Sequence, residues 1–173
     1  MCRDDIRTEA MKTMKLVLEV EKRIRSLKSA LNAWVYGLTK ASLTRTGNLY
    51  YAEQATKENA RMWMTNVIKW KASKNTPCDA VMDYINSLDK MLLMTKSDFN
   101  IVCQGKSIII EVRGPCTYGD SCGWLLGEGQ KLLCPRGVIF TVAISEGSKE
   151  EYAVKVLEAD IGKKCIIELS PAY

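Results

Sequence analysis

The sequence predicts an α+β fold in a single domain, residues 1–173: N-terminal helices packed on a four-stranded antiparallel sheet made of two hairpins joined by a helical crossover. Three observations carry this. Apolar residues recur at helical spacing up to the polar stretch Lys96 to Asp98; from Phe99 the period drops to two; and "QGK" and Ile161-Gly162 each divide a pair of β-branched runs. A helical part, 1–97, and a sheet part, 98–173, follow. They are not independent domains, because four short strands need a helical layer against one face.

The first helix is expected from about Asp4 to about Lys40. Within it Val17, Ile24, Leu31 and Leu38 stand seven apart, and Val20, Leu27 and Trp34 follow the first three by three, which is an a/d heptad seam. Such a seam needs a second helix to cover it. A homodimer through the N-terminal helix is the expected arrangement, and packing by the next two helices of the same chain is the competing explanation. After the break "TRTGN", Tyr51, Ala55 and Met62 mark a second helix. Its end sets Met62, Trp63, Met64 and Trp70 among Arg61, Lys69 and Lys71, a composition that suits an apolar cavity wall or contact with an anionic partner, core and edge packing being the commoner cause. A third helix opens with Thr76 as cap, Pro77 at its first position and Asp79 three after the cap, and Val81, Tyr84, Ile85, Leu88, Met91 and Leu92 give its buried face.

"FNIVC" and "SIIIEVR" flank Gly105 as one hairpin, and "EYAVKVLEAD" and "KKCIIELS" make the other. Between them lie a turn-rich cysteine loop and "PRGVIFTVAISEG", read as the crossover helix although Arg136 and Gly137 are odd at its start.

With 47% hydrophobic and 26% charged residues the chain is neither disordered nor fibrous. No stretch approaches the roughly 20 apolar residues of a membrane span. The charged start "MCRDDIRTEA" lacks a signal-peptide core, so a cytoplasmic location is expected. Residues 1–75 hold 15 Lys and Arg against 7 Asp and Glu, whereas residues 76–173 hold 10 against 13. A lysine-rich solvated helical face is the commoner cause of such a basic half, and nucleic acid is not the partner expected. The absence of histidine excludes Ser-His-Asp and Cys-His machinery. "GWLLGEGQ" fits neither the Walker pattern nor the dinucleotide fingerprint.

Seven cysteines remain to be explained. In a reducing cytoplasm they read as metal ligands, reactive thiols or core residues rather than as disulfides. Cys116, Cys122 and Cys134 fall within nineteen positions, with Cys165 at the start of the last strand, and the spacing lacks the C-x2-C knuckle of structural zinc sites. Zinc held by these four is the expected cofactor, and an iron–sulfur cluster is the lesser alternative. If a helix starts at Pro135, Cys134 becomes its cap, and the helix dipole together with Arg136 lowers its thiol pKa, which serves ligation and nucleophilic chemistry equally. Cys2 sits at the terminus, Cys78 in a helix first turn as an unliganded thiol, and Cys103 in a strand as a buried one.

The order of hairpin, "GPC", loop, "LLCPRG", apolar crossover, strand and "GKKCIIEL", over about residues 99–170, resembles the 4-vinyl reductase domain family, related in fold to subunits of the TRAPP tethering complex. The resemblance implies helices on a four-stranded antiparallel sheet, frequent dimerisation, binding of small apolar molecules, and cysteines as metal ligands. The family's recurrent cysteines fall on Cys116, Cys134 and Cys165. Cys122 is extra, and Gly162-Lys163-Lys164-Cys165-Ile166 departs from the family's glycine-cysteine-aromatic ending by two lysines and an isoleucine. Reductase activity does not follow, since no nicotinamide or flavin motif is present.

The function expected is therefore binding or sensing of a small apolar molecule beside a cysteine-ligated metal, with Met62, Trp63, Trp124 and Phe140 as cavity residues. Two alternatives stand. One is a thiol- or metal-dependent enzyme using Cys134; the other is a dimeric interaction or scaffold protein with structural cysteines.

Overall fold

The structure, a computed structural model, describes residues 3–72 and 76–172, and side chains from Glu9 onward. Cys2 lies outside the described residues. Helix α1 (Arg3–Thr46) is followed by α2 (Tyr50–Met62), a π-helical turn (Trp63–Val67), α3 (Pro77–Lys90) and a short 3-10 turn (Lys96–Asp98). Strands β1 (Phe99–Gln104) and β2 (Ser107–Arg113) form the first hairpin, turning at Gly105 with φ +59°. Helices α4 (Gly119–Gly127) and α5 (Pro135–Ser148) cross over to the second hairpin, β3 (Tyr152–Asp160) and β4 (Lys164–Pro171).

The sheet order is β1-β2-β4-β3, antiparallel throughout, so the two hairpins join through β2 and β4. Ile110 pairs with Ile101 on one side and Ile167 on the other, aligning the apolar rows. Alternation decides the faces. Ile108, Ile110, Val112, Ile167 and Leu169 are buried under the helices, while the opposite face carries exposed Ala153, Lys155 and Leu157. α2 and α3 pack on α5, which lies against β3 and β4, and α1 reaches the rest of the chain through α4 and α2.

Local chemistry explains the ends. Thr76 and Asp79 form a reciprocal capping box with Pro77 at the first helical position of α3. Its buried face is Ala80, Val81, Tyr84, Ile85 and Leu88, whereas Met91 and Leu92, expected on that face, lie beyond the helix end and are exposed. In α2 the buried residues are Ala52, Thr56 and Ala60, so Tyr51 and Met62 point outward.

α1 differs most from expectation. The competing account of its seam, cover by the next two helices, holds only at Leu31 and Leu38, which are half-buried. Residues 9–27 are all exposed, Ile24 at 59% and Leu27 at 71%. What the domain buries instead is the row Asn32, Val35, Thr39 and Ser42.

Candidate functional site

Two neighbouring cavities meet at the start of α5. The larger, about 390 Å³, lies between the helices and is walled by Leu31, Trp63, Tyr84, Leu88, Ile139 and Phe140. Polar groups are brought to it by Thr117, Tyr118 and Arg136, which neighbour one another, and by Asn59. Trp63 arrives there because the π-helical turn widens the helix after Met62, while Phe140 projects from the buried side of α5 and meets Tyr84 and Phe99 edge-on at 6.2 and 6.0 Å. Of the four cavity residues expected, Trp63 and Phe140 line it. Met62 is 61% exposed on the outside of α2, and Trp124, 45% exposed, stacks edge-on against Tyr36 at 5.7 Å.

The smaller cavity, about 30 Å³, is bordered by Cys116, Cys122, Cys134 and Cys165 together with Val112, Pro135, Ile161 and Ile167. The four thiols come from the loop before α4, from α4 itself, from the cap of α5 and from β4. All are free and half-buried. Among the described residues, however, no group of three or more His, Cys, Asp or Glu is placed to hold a metal ion. This overturns the expected zinc-bearing sensor. Four thiols on four separate elements border a small apolar void instead of converging on one centre, as a tight knuckle would force them to do.

Electrostatics points the same way. Cys134 does cap α5, its Sγ accepting from the Gly137 amide at 3.4 Å. Burial outweighs that bond and pushes the thiol from an ordinary 9.0 up to about 11, the reverse of the expected lowering. Burial likewise pushes Cys122 up to about 12, and it raises Cys165. These are protonated packing groups at neutral pH, without the thiolate character of a nucleophile. The remaining pair differs from expectation too: Cys78 and Cys103 form a disulfide, Cα–Cα 6.3 Å, and Cys103 is exposed rather than buried. It joins α3 to β1, and thus the helical part to the sheet.

Two residues outside the expected site residues organise this region. Asn32, fully buried on α1, donates to the Thr117 carbonyl at 2.8 Å and accepts from the Ser121 amide at 2.9 Å, so α1 is clamped to the start of α4. Arg136, 6% exposed, donates Nη1 to Met94 Sδ at 2.8 Å and Nη2 to Thr117 Oγ1 at 3.5 Å, and stands 5.5 Å from the Phe99 ring centroid. Its Nε has no hydrogen-bond partner, and among the described residues it makes no ion pair. A charged residue and glycine opening an apolar run, "CPRGVIF", was the available signal for Arg136; Asn32 had none, lying off the apolar seam.

No protein-family model matches this chain, and no curated protein matches it. Among the described residues, no helix is long and apolar enough to cross a membrane.

Proposed function

We propose that this chain is a dimeric interaction protein that assembles through α1, with its cysteines serving the fold. The observation that carries the reading is the uncovered seam: Val17, Val20, Ile24, Leu27 and Trp34 are all exposed along one side of a helix that extends beyond the domain. An apolar stripe in heptad register calls for a helix, and a second copy offers the same stripe.

Charge selects the orientation. Glu21 and Lys28 flank the seam at e positions and Arg23 at a g position. Parallel pairing brings Arg23 of one copy against Lys28 of the other, a like-charge contact. Antiparallel pairing with Ile24 opposite Leu27 matches Val17 with Trp34 and Val20 with Leu31, and sets Glu21 opposite Lys28 twice. The antiparallel dimer is the arrangement adopted. Kinship with the 4-vinyl reductase domain family is part of the same proposal, supported by the succession of hairpin, cysteine-bearing segment, crossover helix capped by Cys134, and second hairpin.

Sedimentation equilibrium tests it. The wild-type chain should give a concentration-dependent dimer, and Ile24→Glu/Leu27→Glu a monomer with unchanged circular dichroism. A wild type that stays monomeric at its highest soluble concentration would overturn the reading.

A further inference from the structure

The larger cavity combines two properties that have no structural use together. Its walls are apolar and rich in rings, with Trp63, Tyr84, Tyr118 and Phe140, yet one end presents a guanidinium. That guanidinium faces the cavity, since both of its hydrogen-bond partners, Met94 and Thr117, are themselves lining residues, although Arg136 also borders the smaller cavity. A thioether, a hydroxyl at 3.5 Å and the Phe99 ring at 5.5 Å bring no negative charge to the cation, Nε is unsatisfied, and the residue is more than nine-tenths buried. A buried cation left in this state is disfavoured unless an anion completes it.

We infer that the cavity binds a small monocarboxylic acid with an aromatic body, its carboxylate paired to Arg136. The planar fork of a guanidinium matches a carboxylate with two parallel bonds, and a single positive charge is neutralised by a single negative one, whereas a phosphate monoester carries more charge than Arg136 answers. The rings of the wall favour a flat apolar body, and about 390 Å³ lies within the size range of small-molecule pockets. Thr117 Oγ1, next to the guanidinium, is placed to donate a further bond to the same carboxylate.

The experiment is calorimetric titration of the full chain with 2-naphthoate and with its neutral isostere 2-naphthamide. Naphthoate should bind one per chain, about tenfold or more tighter than the amide, the discrimination expected of a charge-assisted pair over a neutral one. Arg136→Met, close in volume and uncharged, should lose the preference while still binding the amide. Arg136→Lys, which keeps the charge without the fork, serves where the methionine variant fails to fold, and should reduce the preference without abolishing it. Ile24→Glu/Leu27→Glu should bind naphthoate as the wild type does, separating this site from the exposed stripe of α1. Equal affinity for acid and amide, no binding of either, a preference that survives Arg136→Met, or loss of binding in the α1 variant would each overturn the assignment.

Discussion

At Cys134 two physical effects compete, and their relative size decides what the thiol can do. A helix cap stabilises a thiolate, burial opposes it, and burial prevails by raising the pKa from 9.0 to about 11. Cys122 follows, to about 12. Both thiols lose their protons earlier in the unfolded chain than in the folded one. Their contribution to stability is therefore complete below about pH 9 and is lost as pH rises through about 11 to 12. The urea midpoint of the wild type should accordingly fall more steeply above about pH 9 than that of Cys122→Ala/Cys134→Ala; coincident slopes would show that burial does not hold these thiols neutral. Asn32 is the other residue of consequence. Asn32→Ala leaves the Ser121 amide and the Thr117 carbonyl without their partner, and should lower unfolding free energy by about 2–3 kcal/mol in urea titrations. Neither role was legible in the sequence. The position of Cys134 as a cap was readable from "CPRG", but its burial depends on β4 and the loop before α4, which no local pattern encodes.

Among the elements, α5 sits closest to the sheet, and a glycine permits it. A Cβ at Gly137 would overlap Val154 Cγ2 and approach Ile167 Cδ1 to 3.4 Å. Gly137→Ala should therefore cost about 1–3 kcal/mol despite its higher helix propensity, read as a lower thermal midpoint. A stabilised variant would mean that α5 has room to move away from the sheet. Most element boundaries were legible because local and tertiary preferences agree: the Thr76–Asp79 box, Gly105 at its turn, and the alternation of β2. α4 was not. Gly119, Gly123 and Gly127 weaken helix propensity, so the segment reads as a loop, yet Leu125 and Ser121 are buried, and a Cβ at Gly119 or Gly123 would meet Ile161 only at ordinary contact, 3.7 and 3.8 Å. Packing there overrides propensity.

Across the whole molecule, the Cys78–Cys103 bond ties the helical part to the sheet over a sequence separation of 25. Closing a loop of that length restricts the unfolded chain, and reduction should lower stability by about 2–4 kcal/mol. Thermal melts with and without a reductant check this, with Cys78→Ala/Cys103→Ala expected to be insensitive to it. The pairing is not readable from the sequence, because the cytoplasmic location expected from it argues against any disulfide and spacing alone cannot show that Cys78 of α3 meets Cys103 of β1. Assembly has its own signature. Lys28→Glu should weaken an antiparallel dimer by setting a second carboxylate against Glu21, whereas it would tighten a parallel one by giving Arg23 an opposite charge. The double exchange Glu21→Lys/Lys28→Glu should restore the antiparallel affinity. The free stretch of α1 also bears on hydrodynamics. In the proposed antiparallel dimer, an overlap of residues 17–34 is about 27 Å of helix and would hold the two globular bodies at opposite ends of a rod. Such a dumbbell tumbles slowly about its short axes and has high friction for its mass, so gel filtration would report a particle larger than two chains while light scattering would count two.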